Sequence, residues 1–273
     1  PSTRVWPEIR EYERAMLAVM NAYIHPLLDE YFVSLEKRLR NLGLDASLYI
    51  TASNGGTLSV ESARERPVDT LLSGPASGVV ATCALGSDDD RDELVAIDMG
   101  GTSCDMSITR GGQPVLTTSA KAGGYPLISP TVDVSAIGAG GGSILWLDNQ
   151  NILKVGPHSA GADPGPASYG RGGLQPTITD CFVAMGLIDP QAFLGGRMRL
   201  DRSAAVEALD TLSVGLRFTG SDSALKVADS ALRVAIAMMS SELYKELAQR
   251  GVDPRGRYPV SYTHLRAHET SLH

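Results

Sequence analysis

Residues 94–108 read LVAIDMGGTSCDMSI and carry the strongest chemical signal in the chain. A short apolar run precedes a pair of glycines, which is typical of a buried strand that enters a tight turn, because glycine adopts the backbone angles such turns need. Alternation of apolar and polar residues resumes through Met106 and Ile108 and stops at glycines 111–112. The stretch therefore predicts a β-hairpin with a glycine-rich turn.

The side chains around this turn have the chemistry of a phosphate and metal site. Consecutive backbone N–H groups in such a turn can form a concave anion site, and the neighbouring hydroxyls add donors. Two flanking carboxylates can hold a hydrated Mg²⁺ beside the anion. The alternative is an ordinary hairpin with a glycine bulge and two solvated aspartates. We predict phosphate contacts from Gly100, Gly101, Thr102 and Ser103, and catalytic, metal-binding roles for Asp98 and Asp105.

Composition limits the classes of function. The chain has 273 residues, 43% of them apolar, and a net charge of −7 without a basic run. These values predict an ordinary folded protein that acts on small molecules or proteins, with no nucleic acid or membrane partner. Three widely spaced cysteines favour neither a disulfide framework nor a zinc ribbon, so we expect a cytoplasmic location. The start lacks both an initiator Met and a signal-peptide pattern, so we expect it to lie inside a longer protein or to follow a processing site.

Helical periodicity marks both ends of the chain. Apolar spacing predicts a long helix over residues 9–42, kinked at Pro26 and closed by Gly43. After Asp180, further helices are predicted over residues 181–187, 203–212 and 223–250. The region between, residues 111–173, is rich in glycine and proline and predicts turns and short strands.

A second glycine-rich stretch, IGAGGGS at residues 137–143, precedes an apolar run that predicts a strand. One interpretation is a second phosphate or substrate loop formed by Gly140, Gly141 and Gly142. The other is close packing of the backbone against a neighbour. The sequence alone leaves both open.

Other polar residues between the glycine-rich segments are weaker candidates. Asp133 and His158, together with Asp163 and Asp180, could ligate a divalent metal or supply a general base. For each residue taken singly, turn formation or solvation is the favoured interpretation. Cys104 has no accompanying histidine pattern, so we predict a small buried side chain and not a nucleophile.

Four motifs together resemble one known family. They are LSGPASG at residues 72–78, DMGGTS at 98–103, IGAGGGS at 137–143 and VGPHSAGADPGPASYGRGG at 155–173. They closely resemble the hydantoinase A and 5-oxoprolinase family, which includes acetone carboxylase subunits, over about residues 5–255. The resemblance implies an α/β, actin-like ATPase (ribonuclease H-like) fold, in which two related lobes close on Mg-ATP.

The resemblance also implies a reaction. The family uses ATP to activate a poor electrophile, either the amide of a hydantoin or 5-oxoproline ring or, in the carboxylases, a ketone and bicarbonate. We expect a fragment of an ATP-dependent hydrolase of cyclic amides, with ATP and Mg²⁺ as cofactors and a hydantoinase B-type second subunit. The alternatives are a ketone carboxylase subunit and a partner-binding lobe without turnover. A sugar-kinase-like phosphotransferase is disfavoured by residues 155–173.

The chain departs from the family pattern in three places. It has one phosphate hairpin where members usually have two, and the glycine-rich turn for adenosine is not found after residues 253–255. Ser168 stands where members usually have Cys. Three of the five histidines lie in the last ten residues. Two of them, His264 and His268, have the i,i+4 spacing of a metal-binding pair on a helix, but a tail without function is the favoured interpretation. We therefore expect one domain over residues 1–257, a non-native tail at 258–273, and no activity from this chain alone.

Overall fold

The computed structural model describes residues 1–263, and the chain divides into two compact units. Unit 1 contains Pro1–Ala96, Ser107–Val134 and Arg257–Val260, while unit 2 contains Ile97–Met106 and Ser135–Gly256, with residues 261–263. None of the helices in these residues combines the length and apolarity that a membrane span requires.

Helices and strands alternate irregularly along the described residues. The α-helices are α1 (Ser2–Val5), α2 (Glu11–Asn41), α3 (Val60–Glu65), α4 (Ser73–Asp88), α5 (Ile178–Ala184), α6 (Arg202–Asp210) and α7 (Ser223–Gln249). The strands are β1 (Tyr49–Thr51), β2 (Thr57–Ser59), β3 (Leu94–Met99), β4 (Cys104–Arg110), β5 (Gln113–Pro114), β6 (Leu116–Thr117), β7 (Ala120–Ala122), β8 (Tyr125–Leu127), β9 (Thr131–Val132), β10 (Val134–Ile137), β11 (Ser143–Leu147), β12 (Leu153–Ser159) and β13 (Tyr258–Thr263). Short 3₁₀ helices cover Pro67–Thr70, Ala167–Tyr169 and Phe193–Gly196.

One sheet has the strand order β10-β4-β3-β13, with β5 also paired to β4. The pairs β1-β2, β6-β9, β7-β8 and β11-β12 are two-stranded and antiparallel. Only four residues join β3 to β4, and a connection that short links neighbouring strands as an antiparallel hairpin. The predicted hairpin is therefore present.

Unit 1 is organised around the long helix α2, which the sequence predicted within two residues at each end. Pro26 lies inside the helix, and Gly43 follows its end with a φ of +79°. Leu17 is fully buried and packs with Val68 and Leu127. The side chain of Asn21 accepts a hydrogen bond from the backbone of Val68 at 3.3 Å. Helix α2 is thus tied to the following 3₁₀ helix by both apolar and polar contacts.

Unit 2 is organised around α7, whose buried face is built from small side chains. Five residues that are at most 5% exposed lie at the spacing of one helix face, namely Ala224, Val227, Ala228, Ala231 and Ala235. Small residues at this spacing let α5 and α6 pack closely against α7. This face holds α5, and through it the glycine-rich loops described below.

The final described strand, β13, consists of the first six residues of the predicted tail. β13 lies beside β3 in the sheet. Just before it, Arg257 donates to the carbonyl of Thr109 at 3.0 Å and forms an ion pair with Glu93. That residues 258–273 are non-native stays a prediction. The proposed His264 and His268 pair lies outside the described residues.

Candidate functional site

The β3–β4 turn is closed by a hydrogen bond from Gly100 N–H to the Ser103 carbonyl at 2.9 Å. Asp98 lies near the end of β3 and Asp105 near the start of β4, and both are half-buried. Thr102 is exposed at the tip of the turn. The structure therefore brings the two predicted carboxylates and the predicted phosphate-contacting residues together in unit 2.

The two carbonyl groups of the glycine pair face into the protein. Gly100 O accepts from Gly141 N–H at 3.0 Å, and Gly101 O accepts from Gly142 N–H at 2.5 Å. In a planar trans peptide the C=O of one residue and the N–H of the next point in opposite directions. The N–H groups of Gly101 and Thr102 therefore point away from the second glycine loop. We call these two consecutive N–H groups outward because they point away from the second loop, and such a pair forms the elements of an anion-binding nest.

The second glycine loop supports the first. Gly140 N–H donates to the Ser143 hydroxyl at 2.9 Å, so the amides of all three central glycines donate within the protein. A Cβ on Gly140 would lie 2.7 Å from the carbonyl carbon of Thr102 and 2.8 Å from Gly100 O. Only glycine permits this close approach. The geometry is that of close backbone packing, and phosphate contact by Gly140, Gly141 and Gly142 stays a prediction.

The start of α5 fixes the second loop in turn. Thr179 donates to the Gly141 carbonyl twice, from its N–H at 2.7 Å and from its hydroxyl at 2.9 Å. The Gly142 carbonyl accepts from Ala160 N–H at 2.8 Å. A continuous series of hydrogen bonds thus runs from the helix through the second loop to the β3–β4 turn.

Asp180 joins the start of α5 to the neighbouring segments through several hydrogen bonds. Its fully buried carboxylate accepts from the N–H groups of Ala167, Ser168 and Thr177 and from the Thr177 hydroxyl, at 2.8–3.2 Å. The Thr177 hydroxyl oxygen also accepts a hydrogen bond from the backbone N–H of Asp180, which completes a capping box. This arrangement assigns Asp180 a structural role. The signal was present in the sequence, where Thr177-Ile-Thr-Asp180 has the spacing of a capping box.

Electrostatics around the turn favour a cation. Burial and the nearby negative charge of Asp98 raise the pKa of Asp105, against the weaker opposing effect of a 3.4 Å hydrogen bond from the Ser103 hydroxyl. Two half-buried carboxylates that repel each other are relieved by a divalent cation between them. Mg²⁺ commonly takes one or two carboxylates and completes its shell with water and phosphate oxygens. Asp98 and Asp105 fit that requirement.

The remaining metal candidates lie in different units. Asp133 is half-buried in unit 1, where its backbone carbonyl accepts from the Ser107 hydroxyl at 2.8 Å. His158 is exposed in unit 2, as is Asp163. Within residues 1–263, no three His, Cys, Asp or Glu side chains gather as a metal-binding group. A metal role for Asp133 or His158 stays a prediction without a geometric argument in its favour.

Cys104 has the predicted structural role. Its side chain is fully buried and packs with Met106, Ile137 and Ala139. Burial, reinforced by the charges of Asp105 and Asp98, raises the pKa of the thiol to about 11. A thiol with that pKa remains protonated at neutral pH and is a poor nucleophile.

The fold and the site define an α/β protein with a glycine-rich hairpin flanked by two carboxylates. The family model described as hydantoinase/oxoprolinase matches residues 14–263. The chain therefore belongs to the hydantoinase/oxoprolinase family, and its α/β, actin-like ATPase fold class is the one predicted from the motifs.

Known relatives extend the comparison. The chain is 36% identical over 256 residues to the caprolactamase subunit alpha of Pseudomonas jessenii, which covers 92% of this chain and 36% of the relative. The crystal structure of ATP-dependent caprolactamase from Pseudomonas jessenii matches 96% of this chain and 38% of its own, with a TM-score of 0.78 and 35% identity. Nucleotide-free acetone carboxylase matches 96% of this chain and 36% of its own, with a TM-score of 0.80 and 25% identity. The chain thus spans little more than a third of these relatives.

Proposed function

We propose that this chain contributes the phosphate and Mg²⁺ site of an ATP-dependent enzyme that opens cyclic amides. The observation that carries the proposal is the β3–β4 turn. Its Gly100 and Gly101 carbonyls are held by the second glycine loop, so the N–H groups of Gly101 and Thr102 point outward beside two carboxylates. Held in place before a ligand arrives, such donors stabilise negative charge without the cost of reorganisation.

Each residue of the turn has a part in the proposed chemistry. The outward N–H groups and the Thr102 and Ser103 hydroxyls would bind phosphate oxygens. Asp98 and Asp105 would hold Mg²⁺, which would neutralise charge on the phosphates. The terminal phosphoryl group of ATP passes to the amide oxygen of the ring and ADP leaves. Water then adds to the activated carbon, and the ring C–N bond breaks as the nitrogen leaves with a proton. The acyl phosphate that results is hydrolysed to a carboxylate and phosphate.

The choice of a cyclic amide as substrate rests on the relatives. The name caprolactamase denotes action on a ring amide, and that relative is 36% identical. The alternative is a ketone, since the fold is also shared with acetone carboxylase at 25% identity. A second subunit of the hydantoinase B type is part of the proposal, and it is supported by the designation of the caprolactamase relative as a subunit alpha.

The proposal predicts the effect of Asp98→Asn in a longer protein that contains this chain and matches its relatives in length. Loss of one metal-binding carboxylate should lower lactam-dependent ATP turnover by about 100-fold or more, the scale seen when a transition-state electrostatic contact is removed. Turnover is measured as phosphate release with a lactam and, in parallel, with acetone and bicarbonate. The response to these substrates distinguishes a ring-opening enzyme from a carboxylase.

Glu207→Gln is the matched control, because Glu207 is an exposed carboxylate of α6 in the same unit. It should keep turnover within about twofold, since isolated surface charges contribute little. Circular dichroism should be the same for both variants. Undiminished turnover in Asp98→Asn would show that the hairpin is only structural.

A partner-binding lobe without turnover is the second candidate, and the surface of α2 favours it. Several large apolar side chains of this helix are more than half exposed, namely Tyr12, Val19, Tyr23 and Leu27. Exposed apolar rows of this kind commonly mark protein contacts. This candidate predicts no phosphate release from the longer protein with any of the substrates above.

A further inference from the structure

The hydroxyl of Thr179 bonds to the second glycine loop and not to its own helix. At the start of α5 the cap is formed by Thr177 and Asp180, which bond to each other. Thr179 is only 1% exposed, and its hydroxyl donates to the Gly141 carbonyl at 2.9 Å. Its backbone N–H donates to the same carbonyl at 2.7 Å. A carbonyl oxygen has two lone pairs, so Thr179 alone occupies both of them.

The Gly141 carbonyl belongs to the same peptide group as the N–H of Gly142. In a planar trans peptide these two groups point in opposite directions, so this peptide lies between Thr179 and the β3–β4 turn. On the far side, Gly142 N–H donates to the Gly101 carbonyl at 2.5 Å. That carbonyl shares a peptide group with the Thr102 N–H, one of the two outward donors. Two peptide groups in series therefore connect the Thr179 hydroxyl to the Thr102 N–H.

Hydrogen bonds in such a series strengthen one another. A carbonyl that accepts a hydrogen bond polarises its own peptide group, so the N–H of that group becomes a stronger donor, by roughly 10–30% per bond. The series is also protected from competition by water, because Gly141, Gly142 and Gly101 are buried. Donors that are oriented and polarised before a ligand arrives stabilise negative charge without the cost of reorganisation.

We propose that Thr179 is a positioning residue that orients and polarises the Thr102 N–H toward a phosphate oxygen. It acts through the two intervening peptide groups and does not itself contact the ligand. The inference rests on the proposed function, since it requires that the outward N–H groups bind phosphate. The polar residues at the start of α5 then have different roles, because Thr177 and Asp180 cap the helix while Thr179 holds the turn.

The first test measures the turn in this chain without a ligand. Thr179→Val keeps the shape of the side chain and the backbone N–H but removes the hydroxyl bond. The amide protons of Gly142 and Thr102 should therefore move upfield in ¹H–¹⁵N spectra. The Gly142 amide should also exchange with solvent about fivefold faster, the effect of one neutral hydrogen bond.

Two further variants separate positioning from stability. Thr179→Ser keeps the hydroxyl but loses a buried methyl group, so it should melt at a lower temperature and still show the wild-type amide signals and exchange. Thr82→Val is the matched control, because Thr82 is also fully buried and its hydroxyl donates to the Gly78 carbonyl at 3.0 Å, in unit 1. It should leave the signals of the turn unchanged. A merely structural role for Thr179 predicts instead that the signals follow the melting temperature.

The second test measures binding of Mg²⁺ with a non-hydrolysable ATP analogue to the longer protein by titration calorimetry. Thr179→Val should raise the Kd by about two- to fivefold, whereas Thr179→Ser and Thr82→Val should keep the wild-type Kd. Asp98→Asn tests the proposed function in the same titration. A wild-type Kd in Asp98→Asn would overturn the proposed function and this inference with it. Weak binding in Asp98→Asn together with a wild-type Kd or unshifted amide signals in Thr179→Val would overturn this inference alone.

Discussion

Asp105 illustrates how a site residue can oppose the stability of the fold. Its pKa is raised by burial and by the charge of Asp98. An acid whose pKa is higher in the folded than in the unfolded chain disfavours folding once it is ionised. At neutral pH the ionised carboxylate of Asp105 therefore lowers the free energy of unfolding, and a bound cation would offset this effect.

Asp105→Asn should consequently raise the melting temperature at pH 7 in the absence of metal. The amide removes the ionised carboxylate but keeps an oxygen that accepts from Ser103. The gain should shrink as the pH falls through the raised folded pKa, and it should vanish near the unfolded value of about 3.9. Thermal melts of variant and wild type from pH 7 down to about pH 4 measure this trend.

Asp222→Asn is the control, because the pKa of Asp222 is shifted in the opposite direction to that of Asp105. A hydrogen bond from Lys226 lowers the pKa of Asp222, so its charge favours the folded state at neutral pH. This substitution should give no gain at pH 7. If Asp105→Asn also gave no gain in melting temperature, ionisation of Asp105 would not destabilise the folded protein.

The two glycine loops act as one element, because each is shaped to the backbone of the other. Gly140 approaches Thr102, Gly100 and Ser103 too closely for a side chain. Gly138 precedes it in the same loop, and a Cβ there would meet no atom within 4 Å. Both glycines have ordinary φ values, so the comparison isolates steric contact from backbone strain.

Gly140→Ala should destabilise the protein by about 1–3 kcal/mol, the usual cost of overpacking a tight contact. Because the turn must shift to admit the methyl group, the outward N–H groups should also move, and the longer protein should lose ATP turnover. Gly138→Ala should leave both properties unchanged. Denaturant unfolding and phosphate release measure the two effects, and equal behaviour of the variants would contradict the packing described here.

On the scale of the full chain, β13 links the end of the described sequence to unit 1. Arg257 contacts Thr109 and Glu93, and the guanidinium of Arg91 lies 4.1 Å from the ring centre of Tyr258. Arg257–Val260 belong to unit 1. These three contacts therefore all lie within unit 1.

Truncation after Thr263 should leave the melting temperature unchanged, whereas truncation after Gly256 should lower it by several degrees. The shorter chain loses the Arg257 and Tyr258 contacts and leaves β3 without a neighbour on that side, a total of about 1–3 kcal/mol. Differential scanning calorimetry of the two chains tests this. A large loss from the first truncation would show that residues after Thr263 stabilise the fold.

The sequence by itself determined the hairpin, the long helices and the family. Glycine pairs, apolar periodicity and terminal glycines act locally, so α2 and α7 were predicted within two residues at both ends. The four motifs carried the family because glycine permits, and proline restricts, particular backbone conformations wherever they occur. The start of α5 was predicted three residues late, because its capping box was not recognised.

Only the tertiary structure decided how the glycine-rich segments work together. The carbonyls of Gly100 and Gly101 meet the amides of Gly141 and Gly142 across some forty residues of sequence, and that contact orients the turn. Asp180 looked like a possible ligand but is buried among backbone donors, since a carboxylate's role depends on what surrounds it. Long-range pairing and burial arise from packing, and no local pattern encodes them.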